Sequence, residues 1–129
     1  MLKTLVERHR TLFQGRIPPC SKLDEGWYPL VDALCSQLEN SLSADEMRAF
    51  HIRQITSEVG TLRILRGGIR QLHVEHLVEA VERLSAWLCV DCGSPGRLRK
   101  GKEPATLCDF CEEERQIRAT RCDRSRSTG

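Results

Sequence analysis

Two Cys-x-x-Cys pairs, separated by fifteen residues, are the feature that most constrains what this chain can fold into. Cys89 and Cys92 form the first pair, and Cys108 and Cys111 form the second. Two residues between paired cysteines let both sulfurs reach one tetrahedral ion about 2.3 Å away, and the intervening loop can fold back to bring the pairs together. Gly93 permits the left-handed backbone that such a knuckle needs. The spacing therefore predicts a zinc site with these four cysteines as ligands.

Disulfides, a redox-active Cys-x-x-Cys or chance are the alternative explanations of the two pairs. A secreted disulfide framework is not expected, because charge returns at Lys3 before an apolar signal sequence can build. Seven cysteines are also an odd number. A thioredoxin-type site needs one pair at the start of a helix in a βαβ unit, and a second matched pair has no role in that chemistry. Because four thiolates leave no open position for water, the predicted zinc is structural.

The length of 129 residues suits one domain with a small separate module. No apolar run is long enough to cross a membrane, so we expect a cytoplasmic protein with no membrane partner. Aromatic residues make up 5% of the chain, which means that Leu, Val and Ile must form most of the core. Zinc binding contributes on the order of 10 kcal/mol in small modules, so we expect the C-terminal third to depend on the metal.

Apolar periodicity predicts three core helices. The first spans about a dozen residues and ends before Gly15. The second begins near Asp24, with Trp27 leading its buried stripe and Cys35 buried beside it. The third runs from His73 to the first cysteine pair, with Val74, Val78 and Leu84 on its buried stripe. Residues 50–55 and 61–66 alternate as the strands of a β-hairpin. The predicted fold is thus α+β, with a C-terminal four-cysteine module of zinc-ribbon or treble-clef type. Its predicted divisions are a helical α+β core at 1–88, the zinc module at 89–120 and a disordered basic tail at 121–129.

Four basic side chains lie between the two cysteine pairs, at Arg97, Arg99, Lys100 and Lys102. They are candidates for contact with a partner or with nucleic acid. Three interpretations are open: solvated charge at the tip of a ribbon, contact with phosphates, or a docking surface for an acidic protein. No aromatic residue lies among them, so any contact with nucleic acid is expected to involve the backbone instead of stacked bases.

Several short motifs occur together between residues 24 and 112. They are Gly26-Trp27 with Leu30, Leu34 and Cys35; Gly60-Thr61-Leu62-Arg63; Cys89-x-x-Cys92-Gly93-x-Pro95-Gly96-Arg97-Leu98-Arg99; and Leu107-Cys108-x-x-Cys111. The combination resembles a family of small uncharacterised zinc-ribbon proteins encoded by phages, prophages and bacteria. The resemblance implies this architecture and a mobile-element context, but no activity. The zinc module alone is more weakly similar to the DksA/TraR class of regulators, which enter the secondary channel of RNA polymerase.

No motif in the sequence brings a nucleophile and a base together, so an enzyme acting on a small-molecule substrate is not predicted. His73 and His76 are expected on a solvated helix face. The preferred hypothesis is a non-enzymatic modulator or inhibitor of phage type that docks onto a host protein or nucleoprotein complex, such as a defence complex or the transcription apparatus. A small DNA- or RNA-binding transcriptional regulator is the alternative, and an enzyme with an opened zinc site is a third hypothesis.

Overall fold

The structure, a computed structural model, describes the backbone of residues 2–127 and the side chains of residues 2–121. Its helices and strands are α1 (Leu2–Arg8), α2 (Tyr28–Ser41), α3 (Ala44–Ala49), β1 (His51–Glu58), β2 (Thr61–Gly67), α4 (Leu72–Ser85), β3 (Arg97–Arg99), β4 (Ala105–Leu107) and α5 (Asp109–Ser127). Strands β1 and β2 form one antiparallel hairpin, and β3 and β4 form another. The predicted α+β fold with a C-terminal four-cysteine module is confirmed.

The β1–β2 hairpin turns at Val59 and Gly60, which both have positive φ angles, of 49° and 75°. Two such residues form the tight turn that matches the twist of a hairpin. As predicted, Leu62 and Ile64 face the core and the intervening arginine faces solvent. Side chains of α4 cover the outer edge of β2: the amide of Leu62 donates to Ser85 Oγ at 2.8 Å, and that of Ile64 donates to a Glu82 carboxylate oxygen at 2.9 Å. The small sheet therefore has no free edge on this side.

Helix α2 forms the centre of the core. The 3₁₀ turn Glu25–Trp27 leads directly into it, and its first turn contains a proline, which suits that position because no helical N–H bond is lost there. Trp27 is 1% exposed, and its indole N–H donates to the carbonyl of Leu88 at 3.0 Å. The predicted burial of Trp27 is confirmed, as is that of Cys35. Trp27 thus joins α2 to the segment that enters the metal site.

The N-terminal segment differs from the predicted single helix of a dozen residues. Helix α1 ends at Arg8, and a 3₁₀ turn at Arg10–Phe13 follows. Between them His9 is 3% exposed, with Nε2 2.7 Å from the Asp32 carboxylate and Nδ1 2.6 Å from that of Glu39. Asp32 and Glu39 are two turns apart on the same face of α2, so the imidazole at the break between α1 and the 3₁₀ turn contacts both carboxylates.

Helix α4 is less buried than its periodicity predicts. Val74 and Val78 are fully buried, but Leu84, predicted on the same stripe, is 50% exposed. Its main packing partners are α2 and β2, and one side of its apolar face remains exposed. His73 and His76 are exposed, as predicted.

Helix α5 continues through Ser127, beyond the predicted start of a disordered tail at residue 121. Extending an existing helix fixes one residue for each new hydrogen bond, so it is far less costly than starting one, and arginine and serine permit it. Residues 128 and 129 lie outside the described part of the chain. Within residues 2–127, no helix is both long and apolar enough to cross a membrane.

Candidate metal centre

The four predicted ligands come together in one cluster. The Sγ atoms of Cys89, Cys92, Cys108 and Cys111 all lie within 4.8 Å of one another, and those of Cys92 and Cys108 are 3.6 Å apart. Sulfurs at about 2.3 Å from one tetrahedral ion would be separated by roughly 3.8 Å. The cluster therefore has the size and donor set of a site for a single metal ion.

The remaining cysteines take no part in this cluster where the structure describes them. Cys20 is exposed, and Cys35 is buried in the helical core. The side chain of Cys122 lies outside the described residues.

The first cysteine knuckle is a tight turn that packs against the start of α2. The amide of Cys89 donates to the Ser94 carbonyl at 2.8 Å, and the amide of Gly93 donates to the Cys89 carbonyl at 2.9 Å. Gly93 has a φ of +81°, the left-handed conformation predicted for it. Gly26 donates its N–H to the Val90 carbonyl at 2.8 Å, and a Cβ on Gly26 would lie 2.0 Å from the Cys89 oxygen. Only glycine at position 26 allows the core to approach the knuckle this closely.

The second knuckle leads into α5. Because the helix begins at Asp109, Cys111 lies in its first turn, and the amide of Cys111 points at Cys108 Sγ, 3.4 Å away. Strand β4 connects this knuckle to the rest of the fold. The amide of Val90 donates to the Thr106 carbonyl at 2.9 Å, and the Thr106 hydroxyl donates to the Gly60 carbonyl at 2.7 Å. Strand β4 thus joins the second knuckle both to the first knuckle and to the turn of the β1–β2 hairpin.

The thiols differ in acidity. Hydrogen bonds from the side chain and backbone of Ser94 lower the pKa of the exposed Cys92 thiol to about 6. The pKa of Cys111 is raised, chiefly by its hydrogen bond with Cys108 and then by burial. Because metal ligation requires thiolates, a metal ion must displace protons from this cluster, and its affinity rises with pH.

The basic residues of the β3–β4 ribbon are not equivalent. The Arg99 side chain is 17% exposed; it donates to the Leu107 carbonyl at 3.1 and 3.2 Å and to the Asp109 carboxylate at 2.6 Å. The same contact lowers the pKa of Asp109. Arg97 is exposed and lies 4.0 Å from Asp109. Lys100 and Lys102 are exposed at the tip. Of the four predicted contact residues, Arg99 therefore joins the ribbon to α5, and the two lysines present the charge most available to a partner.

A cleft of about 340 Å³ lies beside the second knuckle, around an aromatic residue that the sequence analysis did not single out. Phe110 is 70% exposed there. Arg115 forms a two-pronged ion pair with Asp91 at 2.7 and 2.9 Å and keeps the pKa of that carboxyl below its usual range. The sequence signal was available, because Phe110 is the apolar residue between the second pair of cysteines. The other charged residues lining the cleft are Asp24, Glu25, Glu114 and Arg118.

Comparisons of the chain with protein-family models, with curated proteins and with solved structures found no match.

Proposed function

We propose that this chain is a zinc-binding, non-enzymatic docking protein of phage or mobile-element type that modulates a host nucleoprotein machine. The observation that carries the proposal is the surface of the four-cysteine module: exposed Lys100 and Lys102 at the tip of the β3–β4 ribbon, and a cleft of mixed charge around Phe110 at the start of α5. We refer to these two features together as the ribbon face.

Zinc is the metal that fits the donor set best. Four thiolates in tetrahedral arrangement favour zinc or iron–sulfur chemistry, and pairs with two intervening residues on a β-ribbon are typical of structural zinc. Cys89, Cys92, Cys108 and Cys111 would hold the ion. When bound, it supplies no reactive group but fixes the ribbon and the start of α5.

A non-enzymatic role agrees with the closed donor set. Catalytic zinc normally has three protein ligands and a water, whereas four thiolates complete a tetrahedral shell. Cys89 is 0% exposed and Cys111 is 9% exposed, so two of the ligands are shielded from any substrate.

The mixed charge of the ribbon face favours a protein partner over nucleic acid. A phosphate backbone carries uniform negative charge and would be repelled by the carboxylates of Asp24, Glu25 and Glu114. A protein surface can place acidic groups against the lysines and a basic or apolar group against Phe110. Exposed aromatic residues are also frequent anchors of protein interfaces.

The phage or mobile-element context is supported by the resemblance of residues 24–112 described above. A small protein without catalytic groups acts most directly by occupying a surface of a larger assembly. A defence complex or the transcription apparatus is the expected kind of host machine.

One observation favours the alternative, a small DNA- or RNA-binding transcriptional regulator. Arg118 and Arg121 are exposed on α5, a 19-residue helix that is solvated along most of the described part of its length. Such a helix can contact phosphates even where the ribbon face does not.

Affinity capture from bacterial lysate, with and without nuclease, tests the proposal. We expect specific host proteins to be retained after nuclease treatment and lost when Lys100→Glu, Lys102→Glu and Phe110→Ala are combined. Lys3→Glu is the matched control, because Lys3 is exposed on α1, away from the ribbon. The purified protein should bind duplex DNA no better than about 10⁻⁴ M near physiological salt. Sub-micromolar binding that weakens steeply with salt would overturn the proposal in favour of the regulator.

A further inference from the structure

Helix α4 and the turn that follows it carry an apolar face that is largely exposed. Leu84 is 50% exposed and Trp87 is 68% exposed. Ala80 is exposed beside them, and Leu77 is only partly buried. The spacing of these four residues is three, four and three, which places them along one side of a helix. We refer to Leu77, Ala80, Leu84 and Trp87 as the α4 face.

Trp87 is fixed in its exposed position by the backbone. Its amide donates to the Leu84 carbonyl at 3.0 Å, and its carbonyl accepts from the amide of Gly96 at 2.8 Å. The first bond continues the helical turn, so Trp87 lies on the same side as Leu84. The second attaches it to the segment between the cysteine pairs. A large aromatic side chain on an ordered backbone loses little entropy on burial and is a frequent anchor of interfaces.

The α4 face is complementary to a second copy of itself. In an antiparallel pair of α4 helices centred on residue 82, Ala80 lies opposite Leu84 of the second copy, and Leu77 lies opposite Trp87. Each contact then pairs side chains of unequal size, Ala with Leu and Leu with Trp, and the two-fold symmetry repeats both contacts. Such alternation of sizes lets two helices approach closely.

The charged residues along one border of the α4 face also fit an antiparallel pair of α4 helices. Glu79 and Arg83 are exposed and one helical turn apart. In the antiparallel register, Glu79 and Arg83 of the second copy are offset by two residues, or about 3 Å along the axis. Long side chains span that distance, so two symmetric ion pairs form. A parallel arrangement would place this border against the opposite border of the second helix, and the Glu79–Arg83 pairs would not form.

We infer that the α4 face is the interface of a two-fold symmetric homodimer, with the two α4 helices antiparallel. This surface is distinct from the ribbon face, so the inference goes beyond the proposed function and does not depend on it.

Sedimentation velocity of the zinc-loaded full chain tests the dimer across the micromolar range. We expect concentration-dependent dimerisation that Leu84→Glu weakens by at least tenfold, because the change places a carboxylate in the apolar contact. Leu72→Glu is the matched control: Leu72 is 73% exposed on the same helix but outside the α4 face, and its substitution should leave the dimer intact. A wild-type chain that stays monomeric throughout, or equal weakening by both substitutions, would overturn the inference.

Charge exchange tests the antiparallel register. Glu79→Arg and Arg83→Glu should each weaken self-association, because like charges then meet across the interface. Mixing the two variants should restore association as a heterodimer, in which every pair has opposite charges. Failure of the mixture to associate better than either variant alone would overturn the register. Fluorescence gives an independent readout: Trp27 is buried in each chain, so a blue shift with concentration reports burial of Trp87.

Discussion

At the scale of single residues, Gly26 explains why two distant motifs occur together. The Gly26-Trp27 step and the Cys-x-x-Cys-Gly knuckle are more than sixty residues apart, yet the Gly26 amide bonds to Val90 and its Cα faces the Cys89 carbonyl. Trp27 adds a second bond to the same segment, through Leu88. The core and the metal knuckle therefore constrain each other directly.

We predict that Gly26→Ala destabilises the zinc-loaded protein by at least about 2 kcal/mol, since the added methyl group overlaps backbone that cannot move without distorting the knuckle. The measurement is urea unfolding, together with zinc retention during dialysis against a competing chelator. Gly101→Ala is the matched control, because a Cβ there would meet nothing within 4 Å. Equal stability of the two variants would show that the core and the knuckle are less tightly coupled than their contacts indicate.

The roles of single residues could be predicted where they depend on neighbours in the sequence, and not where they depend on contacts formed by folding. The four ligands could be predicted because metal geometry fixes the local spacing of cysteines, and the φ of Gly93 could be predicted for the same reason. The involvement of Arg99 with Asp109 could not, because a run of basic residues does not reveal which of them turns back onto its own ribbon. Long-range contacts decide that, and a single sequence does not encode them locally.

At the scale of elements, the order of the long helices and the hairpin strands could be predicted, but not the short α3, where helices break or which faces remain uncovered. Apolar periodicity predicted that the first helix continues beyond His9. The residues that His9 contacts, Asp32 and Glu39, lie on another helix, and local periodicity does not reveal such contacts. It likewise placed Leu84 in the core, because an apolar stripe has the same pattern whether it meets the core or a second chain. The hairpin was predicted correctly since its turn chemistry is local.

An ion pair between Arg66 and Glu75 connects β2 to α4, and its side chains are only 18% and 26% exposed. The hydrogen bond from Arg66 lowers the pKa of Glu75 below its usual value, near 4.3. The pair therefore stabilises the fold at pH values above about 4.3, and this contribution is lost as the pH falls through the lowered pKa. We predict that Glu75→Gln costs about 1 to 2 kcal/mol at pH 7.

Urea unfolding of zinc-loaded wild type and Glu75→Gln measures this at pH values where both proteins keep the metal, and the difference between them should begin to shrink below about pH 5. Metal retention is checked at each pH, because metal-free protein is expected to be unfolded. Glu58→Gln serves as the control, because the Glu58–Arg63 pair is more than half exposed and contributes little. A constant difference across pH would mean that the glutamine acts through packing instead of charge.

At the scale of the whole molecule, the metal cluster and the helical core share one buried interior. Cys89, Val90, Leu107 and Cys111 belong to the same hydrophobic cluster as Trp27. Hydrogen bonds from Thr106 to Gly60 and from Gly26 to Val90 cross between residues 1–88 and the cysteine module. This packing favours one cooperative unit over two that fold separately.

We therefore predict that loss of the metal weakens the entire fold and not only the C-terminal third. Cys108→Ser should abolish zinc binding and lower the melting temperature in a single transition, with a red shift of the Trp27 emission as water reaches the indole. Structural zinc contributes on the order of 10 kcal/mol, comparable to the total stability of a domain, so the metal-free chain should be largely unfolded at 37 °C. Cys20→Ser is the control, because Cys20 is exposed and outside the cluster. Hydrogen exchange gives the decisive measurement: unchanged protection of α2 and β1 in metal-free Cys108→Ser would contradict the prediction and establish that residues 1–88 fold alone.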